Sequence, residues 1–507
     1  MKKIFLALIL FTQVFYLIEA QGITPEAAAK KRLLPTPKHM VIRGDKEVIL
    51  DGTLTVNVEL AENDATAKNV VGTIFERQFG TKPNIVVTKK NNVPTGAEAY
   101  RIRAVGKTIT LSATDVRGIR YALSTLRQLA EPNRDAVKLT SYRIPETEID
   151  DTPAMAFRGL HLCWFPETRY ARLEQAVRLA AYYKFNHVVI EFWGTFPSRK
   201  HPKLCWQEFA AKPEELKRLV AVGKEVGVTL IPQFNLFGHA SGSRGGSYKH
   251  IPLDRYPEYQ PIFEPDGWTW CLSNPETRTV LSDIVLEMLD DFEQPPYFHI
   301  GLDEASPPEC RRCLSSDYKT LFLEHLLHFH KLLADRKCRM MAWHDMLISG
   351  SDERWKGYVA NANQYTVGMA EKLPRDIIIC DWQYGSGSNK EADKAWPSMW
   401  YFKELGFTVL ACPWTDTKGM KSIGQTVNDA KLDGMLCTSW HHLYGPDMCK
   451  IFSMGGQVTW CAPSNYPDTL WDTVFGMHLR QIGWDMPVKD YRDTGTFDLQ
   501  VPRETNQ

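Results

Sequence analysis

From residue 156 onward, short apolar runs of strand type alternate with longer stretches of helical period. This alternation constrains the fold more than any other feature of the chain. The strand-like runs are Phe157–Cys163, His187–Phe192, Thr229–Phe234, Tyr297–Leu302, Met340–Trp343, Ile377–Trp382, Thr408–Cys412 and Gly434–Trp440. Helical periodicity occupies Arg172–Tyr183, Pro213–Val226, Glu276–Asp290, Tyr318–Arg336, Ala395–Leu405 and Ser422–Lys431, and the stretch from Leu347 to Arg375 is the poorest match to a helix. Repeated strand–helix units imply parallel strands joined by crossovers, and eight of them fit an α/β fold of the closed (β/α)8, or TIM-barrel, type. A doubly wound open sheet shares the alternation. No GxGxxG or P-loop follows any of the runs, so nucleotide binding has no support. The long segment Phe237–Trp270 follows the third run and is rich in Gly, Ser, Tyr and Pro, and a loop of that length in a compact domain is usually functional.

The chain ahead of the barrel reads differently. Val48–Leu50, Thr53–Val58, Asn84–Thr88, Ala99–Ala104 and Thr108–Ala113 are β-type runs, and Ala65–Phe79 and Val116–Leu129 are helical. They predict a smaller α+β domain over residues 21–150, with the Pro-punctuated Ile144–Pro153 stretch as a linker and the barrel over 151–507. Before it, Lys2-Lys3, the apolar run Ile4–Ile18 and the small residue Ala20 have the pattern of a signal peptide over 1–20. The apolar run is shorter than the roughly 20 residues that span a bilayer. The expectation is an exported protein, periplasmic, secreted or at the cell surface, with no membrane span.

Lys+Arg and Asp+Glu both number 60 in 507 residues, for a formal net charge of zero. That balance gives no basic footprint for nucleic acid. The 11 Cys are scattered from Cys163 to Cys461 and do not form a dense disulfide framework. Cys310-Arg311-Arg312-Cys313 has the spacing of half a zinc site or a redox pair. No second CxxC accompanies it, so a local disulfide or buried thiols is the favoured reading.

Catalytic groups of a barrel sit at the C-terminal ends of its strands. The fourth run ends His299-Ile300-Gly301-Leu302-Asp303-Glu304. Two carboxylates so close repel each other, which favours a retained proton on one of them and a role as an acid. Trp343, Trp382, Trp414 and Trp440 stand at or beside four other strand ends, as an aromatic cage for the apolar face of a sugar would require. Arg158, Glu191, Asn235, His239 and Asp416 supply polar groups near the same ends.

These residues together resemble the glycoside hydrolase family 20 β-N-acetylhexosaminidases. Leu34-Pro35-Thr36-Pro37, Ala99-Tyr100-Arg101-Ile102, Ile109–Ala113 and Gly118–Leu129 are similar to that family's accessory domain. Phe157-Arg158-Gly159-Leu160 resembles its sugar-binding Arg motif, and His299–Glu304 its His-x-Gly-x-Asp-Glu motif. Ile231-Pro232 through Gly238-His239 is similar to its Gly-His segment, and the four tryptophans with Asp416 follow its order of pocket residues.

The resemblance implies exo-acting hydrolysis of terminal β-linked GlcNAc or GalNAc by substrate-assisted retaining catalysis. Asp303 and Glu304 would be catalytic; Arg158, Glu191, His239, Trp343, Trp382, Trp414, Asp416 and Trp440 would bind substrate. The partner is then a glycan, no metal or other cofactor is called for, and the oligomeric state stays open, a dimer included. The chain departs from the family at His161-Leu162-Cys163, at Glu191-Phe192-Trp193, at Gln233-Phe234-Asn235, at Trp414 where the family has Tyr, and at His441-His442 where it has an acidic residue. Removal of acidic groups would suit a GalNAc epimer or a sulfated hexosamine. Two other readings stand beside this one: a glycan-binding protein on a hydrolase scaffold, and a glycosidase with a conventional carboxylate pair drawn from Glu191, Asp345 or Asp416.

Overall fold

The structure, a computed structural model, describes residues 24–135, 138–166, 168–240, 253, 255–385, 395–440, 443 and 445–484. Residues 1–20, expected as a signal peptide, residues 241–252 and 254 of the long loop, and His441-His442 lie outside the described residues. The chain divides into two compact units, one of residues up to Pro153 together with Met477–Gly483, the other of Ala154–Gly476. The return of Met477–Gly483 to the first unit is not provided for by a single boundary at 150/151. There the Arg127 guanidinium donates to the Gln481 carbonyl, and His478 Nε2 bonds the Arg32 carbonyl at 2.8 Å.

The first unit is a seven-stranded mixed sheet: β1 (His39–Leu50), β2 (Thr55–Leu60), β3 (Asn84–Lys89), β4 (Tyr100–Val105), β5 (Thr108–Ala113), β6 (Glu131–Asp135) and β7 (Lys138–Asp151). The spatial order is β1-β7-β4-β5-β2-β3, with β6 also on β7. Ile144–Asp151, expected as a linker, is instead part of β7. Its Pro145 lies opposite Glu47, where the β1 register shifts, and β4 pairs with β7 only from Thr147 onward. The absent N–H of proline therefore costs the ladder little. The helix Val116–Leu129 is capped by Asp115, whose carboxylate accepts the Arg117 and Gly118 N–H groups.

The second unit is a closed parallel barrel of β8 (Phe157–Trp164), β9 (His187–Phe192), β10 (Thr229–Gln233), β11 (Tyr297–His299), β12 (Arg339–Trp343), β13 (Ile378–Trp382), β14 (Thr408–Cys412) and β15 (Gly434–Thr438). The eight expected strands are the eight observed, with β10, β11, β13 and β15 shorter than their apolar runs. β15 closes on β8 with Gly434 opposite Phe157. A Cβ at Gly434 would lie 2.0 Å from the Phe157 carbonyl oxygen, so the seam requires glycine. Helices fill most crossovers; the one from β12 to β13 holds only the 3-10 turns Asp345–Leu347, Glu353–Trp355 and Ala370–Lys372.

Side chains alternate along each strand between the barrel interior and the helical shell. Phe157, Val189, Ile231, Met341, Ile378, Leu410 and Leu436 meet in an apolar layer. Above it, His161, Glu191, Gln233, His299 and Thr438 form a polar layer with Trp343, all at most 1 % exposed. The change from apolar to polar occurs toward the strands' C-terminal ends, and the candidate site rests on it.

Candidate active site

The His299–Glu304 motif is a turn with its parts in assigned jobs. β11 ends at His299 because the backbone then leaves the extended region: φ is +70° at Gly301, +95° at Leu302 and +49° at Glu304. Positive φ at Leu302 and Glu304 is strained for side chains of that size, and such strain collects at functional sites. His299 Nδ1 accepts the Gly301 N–H at 3.1 Å, which puts the ring proton on Nε2, and burial keeps the ring neutral by pushing its pKa well below the usual range. Gly301 is obligatory, since a Cβ there would lie 2.2 Å from Asn235 Oδ1. The Glu304 N–H is held by Asp345 Oδ2 at 3.0 Å.

This turn presents Asp303, 4 % exposed, beside Glu304, whose side chain is 49 % exposed. His239 reaches both: its Nε2 is 3.3 Å from Asp303 Oδ2 and 3.3 Å from Glu304 Oε2. Burial opposes a charge on His239, but the two carboxylates outweigh it and raise its pKa to about 10. Burial raises the Asp303 pKa, and the charges of Glu191 and Glu304 add to it, against the pull of His239. Asp303 Oδ1 is buried and has no hydrogen-bond partner among the described residues. His239 itself has φ +54°, and a Cβ at Gly238 would lie 2.2 Å from the Asp303 carbonyl oxygen. The Gly-His pair is thus what lets the loop after β10 approach the motif.

Aromatic rings surround these groups. The His239 ring centroid is 4.3 Å from that of Trp268 and 5.5 Å from that of Trp193, and Trp268 Nε1 donates to the Glu304 carbonyl at 2.7 Å. Trp382, Tyr384 and Trp414 stand in sequence, with centroids 5.2 and 5.1 Å apart, and Trp440 Nε1 donates to Tyr384 Oη at 2.6 Å. Trp382 Nε1 donates to Asp345 Oδ1 at 3.0 Å, while Asn361 Nδ2 donates to Asp345 Oδ2. Burial and the neighbouring Asp303 raise Asp345 to about 6. Sequence reasoning left Tyr384, Trp193 and Trp268 out of the site. Tyr384 follows a strand end by two residues and was open to the same reading as the four tryptophans. Trp193 and Trp268 sit on loops, where no periodicity points to a face.

The other expected residues have these places. Glu191 accepts from Asn235 Nδ2 at 2.7 Å and lies 2.9 Å from His161 Nε2. Burial disfavours its charge, yet the bonds from His161 and Asn235 hold its pKa down at about 2. It supports the site from beneath and is 1 % exposed. Trp343 is wholly buried between His161, His299 and Trp440 and offers no face to a ligand. Asp416 is exposed and caps the helix Thr417–Asp429 through the Gly419 N–H. Arg158 requires a correction. It alternates with the inward Phe157 and Gly159, so it points into the shell, where its guanidinium donates to the Lys184 and Met155 carbonyls and lies 4.9 Å from the Trp460 ring centre. A cavity of about 610 Å³ opens among the strands' N-terminal ends near Phe157, His187, Tyr297 and Arg339. None of the paired carboxylates lines it.

Two family models match the chain: "Glycosyl hydrolase family 20, domain 2" over residues 30–152 and "Glycosyl hydrolase family 20, catalytic domain" over 201–399. A β-hexosaminidase of Vibrio furnissii is 24 % identical over 370 residues, which is 64 % of this chain and 59 % of that protein. A β-N-acetylhexosaminidase of Cellulomonas fimi is 25 % identical over 252 residues, 44 % of this chain and 48 % of the other. The chain thus spans three fifths or less of the length of these curated relatives. Among solved structures, the fold is similar to a family 20 exo β-N-acetylglucosaminidase from Vibrio harveyi, with a TM-score of 0.66, 17 % identity and coverage of 91 % and 79 % of the two chains. It is also similar to a β-N-acetylhexosaminidase from Bacteroides fragilis, with a TM-score of 0.65, 18 % identity and coverage of 92 % and 99 %. With the accessory domain and the catalytic domain both matched, and in that order, this chain belongs to glycosyl hydrolase family 20.

Proposed function

We propose that the protein is an exo-acting β-N-acetylhexosaminidase that removes terminal GlcNAc or GalNAc with retention, using the substrate's own acetamido group. The observation that carries this reading is the Asp303–His239–Glu304 arrangement, with Asp303 Oδ1 buried and without a hydrogen-bond partner among the described residues. An acetamido N–H is the donor such an oxygen lacks. Held there, the amide turns its carbonyl oxygen toward the anomeric carbon. That oxygen attacks as the glycosidic bond breaks, and Glu304 gives its proton to the leaving oxygen. The resulting oxazolinium cation is stabilised by ionised Asp303. Glu304, now a carboxylate, takes a proton from the water that opens the ring, which restores the starting state.

A conventional pair of carboxylates is the poorer reading. Both Asp345 oxygens are committed to Trp382, Glu304 and Asn361, Glu191 is sealed, and Asp416 caps a helix. A second substrate reading, a sulfated hexosamine, is favoured by the sequence, which has Asn235 and His441-His442 where the resemblance calls for acidic residues.

The test is release of nitrophenol from para-nitrophenyl β-GlcNAc and β-GalNAc by the parent, Asp303→Asn and Glu304→Gln proteins. Turnover by the parent that falls at least ~100-fold in both variants, with inhibition by a thiazoline mimic of the intermediate, supports the reading. A folded parent that turns over neither sugar, nor their sulfated forms, but binds glycans on an array would overturn it in favour of a binding protein. Export is part of the same proposal and rests on Lys2-Lys3 with Ile4–Ile18. An N-terminus at Gln21 in protein recovered from outside the cytoplasm would support it, and full-length protein retained in the cytoplasm would count against it.

A further inference from the structure

The loop after β10 and the loop after β11 meet at four side chains that the proposed chemistry does not use. Cys271 Sγ lies 3.6 Å from Cys310 Sγ and 3.7 Å from Cys313 Sγ. These three sulfurs and a carboxylate oxygen of Glu264 all fall within 4.8 Å of one another. A sulfur–sulfur bond is about 2.05 Å, so no pair here is bonded, and all the cysteines are free thiols. Tetrahedral zinc with Zn–S near 2.3 Å sets its sulfurs about 3.8 Å apart. The CxxC segment is folded as a metal knuckle would be, with the Cys313 N–H directed at Cys310 Sγ at 3.3 Å.

Glu264 supplies an independent observation. Its side chain is wholly buried, and Oε2 accepts the Glu309 and Cys310 N–H groups at 2.8 and 2.7 Å. Oε1 is buried without a partner among the described residues. A buried carboxylate oxygen beside three thiols is costly unless something positive meets it. Arg312 brings a positive charge to the cluster at Cys271, with Nη2 3.7 Å from its Sγ, and its guanidinium also donates to the Pro261 carbonyl.

We propose that Cys271, Cys310, Cys313 and Glu264 bind one structural zinc ion, which fastens the loop carrying Trp268 to the loop that begins at Glu304. Binding converts the thiols to thiolates and releases their protons to solvent. The closed set leaves no position for water, so the ion is structural rather than catalytic. Its place in the fold gives it a consequence: Trp268 bonds the Glu304 carbonyl, and Thr269 Oγ1 accepts the Ser306 N–H at 2.9 Å, so the tie lies directly behind the exposed acid.

The experiment is elemental analysis of the full chain, produced with zinc supplied and dialysed. About one zinc per chain is expected in the parent and in Cys205→Ser, a buried thiol elsewhere, falling below ~0.1 in Cys310→Ser and Cys313→Ser. Should the serine variants fail to fold, the parent answers alone: a mercurial that titrates its thiols releases the zinc in step, and cobalt exchanged into the site shows the absorption of tetrahedral thiolate ligation. Metal content reads independently of any glycosidase activity, so an inactive protein that holds zinc keeps this inference and loses the function proposed above. Less than a tenth of an equivalent of zinc in the folded parent, stoichiometric iron in its place, or a disulfide among the three cysteines by mass spectrometry would overturn it.

Discussion

His239 is held between two carboxylates and two indoles, and its charge governs both acids. With its pKa near 10 it is an imidazolium through neutral pH. Replacing it by Asn removes that cation, so Asp303 and Glu304 both hold protons to higher pH. The expected outcome is a kcat lowered ~10- to 100-fold, with both limbs of the pH profile of kcat/KM displaced upward. Displacement of the basic limb alone would separate His239 from Asp303. The roles of the two acids separate by leaving group. Glu304→Gln should lose more activity on a sugar aglycone than on nitrophenol, which departs without a proton, and Asp303→Asn should lose similar amounts on both. Glu191→Leu tests the supporting layer. It leaves His161, Cys163 and Asn235 without their shared acceptor, and a stability loss of about 2–4 kcal/mol is expected in chemical denaturation.

At the scale of elements, glycines decide where strands stop and loops approach. Gly301→Ala and Gly238→Ala would each drive a Cβ to 2.2 Å from Asn235 Oδ1 or the Asp303 carbonyl oxygen. Activity should collapse in both, with far-UV circular dichroism retained, because the displaced atoms belong to the site and not to the barrel wall. Asp416→Ala should cost about 1 kcal/mol through loss of its cap. If Asp416 also binds a hydroxyl, KM will rise by more than the stability change explains. The barrel strands were legible because each is a short apolar run between turn signals. β7 was not, because Pro145 and the acidic residues around it imitate a linker, and only the partner strands show that the proline falls at a bulge. Arg158 shows the limit of a motif resemblance: its parity with Phe157 and Gly159 sends it outward, to the Lys184 and Met155 carbonyls.

Across the whole molecule, buried histidines contribute to the loss of stability in acid. Burial lowers His325 to about 3 and His478 to about 4. Unfolded, each would titrate near 6.5. Their contribution is therefore complete above pH 6.5 and is lost as pH falls toward those values, by roughly 3 kcal/mol for His325 alone at pH 4. Melting temperatures measured from pH 7 to pH 4 should fall, and His325→Gln should fall less steeply. Fold class and the acid pair were readable from local pattern. The contact of Glu264 and Cys271 with the CxxC was not, because a single cysteine on another loop carries no spacing signal. The seam between β8 and β15 has a consequence in time. β8 is buried along its whole length, yet one of its two neighbours is the last barrel strand to be synthesised. At about 5–20 residues per second, the ribosome needs roughly a quarter of a minute to a minute to reach that neighbour. Throughout that interval the strand Phe157–Trp164 has an apolar face and an open edge. One short segment of the chain therefore stays without its second partner strand until translation of the barrel is nearly complete.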